Sequence, residues 1–173
     1  MTKERSMKLT DLSERDRQFL EELKATDFGP IAYKLINPED GKGMTLEEAT
    51  RGIEEYRKFL ILQHFYRDRG IVPTREMDKV WHVHILDTVK YREDCQRLFG
   101  EMLDHFPYFG LRGTEDRQLL DDTFRESQLL FQEIFGTYEQ RAEVVERSRN
   151  EVVETSPVAD SQPVEERQAA ISG

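Results

Sequence analysis

From Thr74 to Phe99 the chain runs without a glycine or a proline, and no other stretch limits the fold as much. Thr74, after Pro73, can cap a helix, and Glu76 and Asp78 fall in its first turn, where the helix dipole favours acids. At about 100° per residue, Val80, Trp81, His84, Thr88, Tyr91, Cys95, Leu98, Phe99 and Met102 share one stripe, with Lys79, Glu93 and Arg97 opposite. The pattern predicts one helix from about Arg75 to Phe99, with room to run past Gly100 to Asp104. It places His84, Tyr91 and Cys95 inside and Lys79, Glu93 and Arg97 outside.

The remaining segments repeat this signal. Ser13-x-x-Asp16 opens a short amphipathic helix to about Ala25, and Phe28-Gly29-Pro30 ends it. Ile31 to Ile36 reads as a short helical segment, and residues 37–43 as a loop. Thr45-x-x-Glu48 is the strongest capping box, and the helix behind it runs to about Arg69. The short connector 70–73 makes this helix and the central one an antiparallel hairpin. After an aromatic turn over 105–110, Thr114 begins a last helix with Leu120, Phe124, Phe131 and Phe135 on its stripe and a stop at Gly136. No segment alternates with period two. The expectation is an all-α fold with four main helices: a flexible 1–8, one domain over 9–140, and a disordered acidic tail over 141–173.

Charge narrows the function. A net charge of −10 disfavours nucleic acid and anionic membrane surfaces as partners, since both call for basic patches. No apolar run is long enough to span a bilayer, the N-terminus lacks a signal-peptide core, and one cysteine precludes an internal disulfide. The expected setting is the cytoplasm. Phosphate loops, G-x-S-x-G, HExxH, paired CxxC and repeated Glu-x-x-His are all absent.

The central stretch, with His105 just beyond it, holds most groups able to ligate a metal or move a proton: His82, His84, Asp87, Tyr91, Asp94, Cys95 and His105. On a helix His82 and His84 point roughly 160° apart, so they cannot share an ion. His84 and Cys95 share a face but lie roughly 16 Å apart along a straight helix. His84 faces the hairpin partner, where the tip of His64 can approach it. A His64–His84–Asp87 cluster would bind a divalent transition metal or relay protons. The alternative is a core histidine satisfied by a carbonyl or by Asp87. His82 reads as a boundary residue, Cys95 as a small buried hydrophobe, and Trp81 as core. Tyr91 and Asp94 read as a buried hydrogen-bonded pair.

The run V-P-T-x-E-x-D-x-V-W-H-x-H-I-L-D-T-x-x-Y-x-x-D-C-x-x-L-F-G, followed by D-H-F-P-Y-F-G, resembles the glycine-rich domain-containing protein-like family. That is a domain of unassigned reaction found in bacteria and at the N-termini of plant glycine-rich domain proteins. The likeness covers about Tyr56 to Gly110 and sets a signature at Asp78, Trp81, His82, His84, Tyr91, Asp94 and Cys95. It implies that the histidines do more than pack.

Two functions follow from these readings. One is a small metal- or ligand-binding helical protein with a His84-centred site between the hairpin helices. The other is a non-catalytic adaptor whose acidic surface and tail engage a partner protein.

Overall fold

The computed structural model describes residues 12–39 and 41–136, so the expected flexible N-terminus and acidic tail lie outside the described residues. Six α-helices and no strands are found among them: α1 (Glu14–Ala25), α2 (Gly29–Ile36), α3 (Leu46–Phe65), α4 (Arg75–Leu86), α5 (Thr88–Phe99) and α6 (Thr114–Phe135). A 3-10 turn, Arg67–Arg69, follows α3. Both expected capping boxes form: Ser13 with Asp16 on α1 and Thr45 with Glu48 on α3. Each satisfies two backbone donors that a helix start leaves open, worth about 1 kcal/mol per cap.

The hairpin partners α3 and α4 make the most extensive contact in the fold. Gly52 sets how close they come, because a Cβ there would stand 3.1 Å from Val80 Cγ2. Tyr56, Phe59, Leu60 and Leu62 of α3 are almost wholly buried, as are Val80 and Trp81 of α4. The rings of Phe59 and Trp81 lie 4.9 Å apart. Helix α1 adds Phe19, which packs on Phe99 of α5 at 5.6 Å. No helix among the described residues is long and apolar enough to cross a membrane.

The expected single helix over 75–99 is two helices. Asp87, at φ −83° and ψ 74°, ends α4 and caps α5, its side chain accepting from the Lys90 N–H at 3.3 Å. A short acid that bonds its own downstream backbone offers the chain an alternative to helix. Tertiary contacts show what the break permits. Residues ten apart on a straight helix are separated by roughly 15 Å. Here His84 reaches Asp94 at 3.0 Å, and Trp81 reaches Tyr91 at 2.9 Å. The bend at Asp87 turns α5 so that side chains of the two helices meet. Expected burial holds within each half: His84, Tyr91 and Cys95 are buried, and Lys79, Glu93 and Arg97 are exposed. Across the break the stripe fails, since Thr88 and Met102 are exposed.

Helix α6 forms where expected but is rotated. Leu120, Phe124, Phe131 and Phe135 are only half-buried, while Ser127, Gln128, Leu130 and Gln132 are the buried residues. Ser127 explains part of this: its hydroxyl accepts from the Val72 N–H at 3.0 Å and donates to the Thr123 carbonyl at 2.8 Å, tying α6 to the connector 70–73.

Candidate functional site

Each of the chain's four histidines sits against an aspartate, in three separate places.

The first place is the core. His84 lies in the last turn of α4 and is 1% exposed. Its Nε2 is 3.0 Å from Asp94 Oδ2, and its Nδ1 is 3.1 Å from the Tyr56 hydroxyl. An ionised carboxylate only accepts, so Nε2–H donates to Asp94 and Nδ1 accepts from Tyr56 O–H. Burial pushes the Tyr56 phenol far up and keeps it a donor. Asp94 also receives Lys90 at 3.0 Å and Arg97 at 2.8 Å. Burial raises the Asp94 carboxyl, but the bonds from His84 and Lys90 outweigh that and hold it below its ordinary value. Both ring nitrogens of His84 are used, so ligation would have to break a buried bond.

The second place is the α1–α3 contact. His64 Nε2 meets Asp16 Oδ1 at 2.8 Å, and its ring stacks on Phe19 at 3.9 Å. Both line an open cleft of about 300 Å³ with Arg15, Arg67 and Phe99. Arg15 donates to the Phe99 carbonyl at the end of α5, and Arg67 pairs with Glu101. The cleft's cations are therefore engaged in holding helix ends and loops. The expected His64–His84–Asp87 cluster does not assemble. His64 turns to α1, His84 turns to α5, and Asp87 stands exposed as the α5 cap. The reason is the break at Asp87, which replaces the face that a straight helix would have offered.

The third place is a surface group built by α4 and the following loop. Asp78 and His82 are neighbours at i, i+4 on α4, with Asp78 Oδ1 3.5 Å from His82 Nε2. His105, on the loop between α5 and α6, brings its Nε2 to 3.0 Å from His82 Nε2 and 3.1 Å from Asp78 Oδ1. Among the described residues this is the group in which three such ligand atoms come within metal-binding range of one another. Its side chains are 34%, 48% and 19% exposed for Asp78, His82 and His105, so one flank is open to solvent. The inner flank is Trp81, whose ring meets the His105 ring edge-on at 4.7 Å. One ring N–H cannot make linear bonds to two acceptors, so protons alone serve this triangle poorly.

His82 thus belongs to a different environment from His84, as helix phase requires, but it is part of a cluster and not an isolated boundary residue. Asp78 was not among the expected site residues, and its signal was the i, i+4 spacing to His82 on the exposed face. Behind the triangle stand Trp81, Tyr91 and Cys95. Trp81 Nε1–H donates to the Tyr91 hydroxyl at 2.9 Å, and that hydroxyl donates to the Leu103 carbonyl. Burial pushes the Cys95 thiol up, which disfavours a thiolate nucleophile.

The signature residues quoted from the sequence therefore divide into a buried brace and an exposed cluster. The family model described as UCP032817-like matches residues 21–128, which spans α2 to α5, the end of α1 and most of α6. Glycine-rich domain-containing protein 1 of Arabidopsis thaliana is 31% identical over 135 residues, 75% of this chain and 16% of that protein. Glycine-rich domain-containing protein 2 of the same plant is 29% identical over 133 residues, 74% of this chain and 16% of its length. The chain thus spans about a sixth of the length of the curated relatives it matches. No solved structure matches. The chain belongs to the UCP032817-like family and is related over about three quarters of its length to the glycine-rich domain-containing proteins.

Proposed function

We propose that this domain binds one divalent transition-metal ion through Asp78 Oδ1, His82 Nε2 and His105 Nε2. The observation that carries the reading is the triangle of 3.0, 3.1 and 3.5 Å between those atoms. Ligands ~2.0–2.1 Å from a tetrahedral zinc ion stand ~3.3 Å apart, and adjacent ligands of a six-coordinate ion stand ~3.0 Å apart. The three atoms already sit at those separations. Two imidazoles and a carboxylate suit zinc or iron(II), with manganese and magnesium less favoured by the nitrogens. Three protein ligands leave at least one position for water or an external donor, on the exposed His82 side. The ion would act there as a Lewis acid or as a docking point for that donor.

Elemental analysis of purified protein and titration with Co²⁺ test this. About one equivalent is expected to bind. His82→Ala and His105→Ala should abolish binding, and Asp78→Asn should weaken it. His64→Gln and His84→Gln should keep the site wherever they fold. Wild-type protein that binds no ion, or binding indifferent to His82 and His105, would overturn the assignment.

A further inference from the structure

His105 is the one ligand of the triangle that no helix positions. Among the described residues, no backbone–backbone hydrogen bond is found over residues 101–105. Besides the exposed Arg67–Glu101 pair, the polar contact that ties this stretch to the core lies at Leu103, two residues before His105. The buried Tyr91 hydroxyl donates to the Leu103 carbonyl at 2.5 Å while accepting from Trp81 Nε1–H at 2.9 Å. Trp81 in turn lies edge-on to the His105 ring. One phenol therefore joins the two things that hold His105: the backbone leading into it and the indole beside it.

We propose that Tyr91 is a positioning residue for the metal site, setting His105 against α4 through Leu103 and Trp81. The inference rests on the metal reading above and adds what tunes it. Asp78 and His82 are spaced by α4 alone and need no such help. His105 arrives across a stretch without its own ladder, so its place depends on the α5 side chain behind it. Groups that orient a ligand from behind typically govern metal affinity by about 10–100-fold.

The test compares Tyr91→Phe with Tyr56→Phe. Each deletes one buried hydroxyl, but the Tyr56 hydroxyl bonds His84, while that of Tyr91 bonds Leu103. Co²⁺ affinity is read by competition with a chromophoric chelator, the ligand-field absorption is recorded, and urea midpoints are measured without metal. Tyr91→Phe should weaken binding about 10–100-fold and alter the cobalt spectrum, while Tyr56→Phe keeps wild-type affinity and spectrum. Wild-type affinity in Tyr91→Phe overturns the proposal, and so does an equal loss in both variants, which would mean general destabilisation. A wild type that binds no Co²⁺ removes the metal reading and this one with it. Wild-type binding retained by Tyr91→Phe removes only this one. Should Tyr91→Phe fail to fold, Trp81→Phe takes its place: it deletes the donor to the same hydroxyl and must weaken binding severalfold, and unchanged affinity there overturns the brace.

Discussion

Replacing Asp94 with asparagine keeps the side chain's size and removes its charge. The carboxylate is 5% exposed and receives His84, Arg97 and Lys90. The bond to buried His84 is a charge-assisted one worth about 1.5–3 kcal/mol. Lys90 is 18% exposed and Arg97 42%, so each of those pairs contributes only about 0–1 kcal/mol after solvent screening. The loss should be about 1.5–5 kcal/mol, against a total of roughly 5–15 kcal/mol for a domain of this kind. Urea unfolding measures it, followed by the fluorescence of Trp81, the chain's one tryptophan, which is buried. The pH dependence supplies a second arm. Asp94 titrates below its ordinary 3.8 when folded. A carboxyl so depressed contributes stability that is present above the unfolded value and is lost as pH falls through the folded one. The gap between wild type and Asp94→Asn should be full at pH 7 and close only below about pH 4. Asp16 is also depressed, first by its bond from Ser13, but it is common to both proteins and cancels. A loss under about 1 kcal/mol would refute the reasoning, as would a gap that does not shrink in acid.

Two further outcomes test the packing. Cys95 is 2% exposed, so a bulky thiol reagent should label native protein slowly and urea-unfolded protein at once; immediate native labelling would contradict the buried stripe. Gly52→Leu puts a side chain where a Cβ alone is 3.1 Å from the buried Val80 and should cost about 1–3 kcal/mol in urea midpoint measurements; an unchanged midpoint would mean α3 and α4 do not meet there.

The helices were legible because their starts are written locally. Ser13 with Asp16 and Thr45 with Glu48 each carry their partner three residues away, and both boxes form. The break at Asp87 was not legible in the same way. It lacks glycine and proline, and Lys90 stands where a capping box would want Glu or Gln. What favours it are contacts ten residues apart, His84 with Asp94 and Trp81 with Tyr91, which a periodic stripe cannot express. The rotation of α6 has the same origin, since Ser127 bonds a connector that the helix's own pattern does not mention.

The site divides along a simple physical line. Helix phase separates His82 from His84, as the structure does, but facing the hairpin partner is what centres the expected site on His84. A buried imidazole must have its nitrogens paired, because leaving one unmet costs about 1–3 kcal/mol. His84 meets that demand with Tyr56 and Asp94, and in doing so it uses the atoms a metal would need. A ligand needs the reverse: a ring nitrogen held in place with its pairing incomplete, close enough to water to exchange. In the proposed site His82 meets that on the exposed face of α4, beside Asp78. The third atom comes from His105, whose approach depends on where Tyr91 holds Leu103. No spacing rule within one helix could have supplied it, since His105 lies 23 residues beyond His82 and arrives through a loop. The signature residues Trp81, Tyr91 and Cys95 are thus informative about the site without belonging to it.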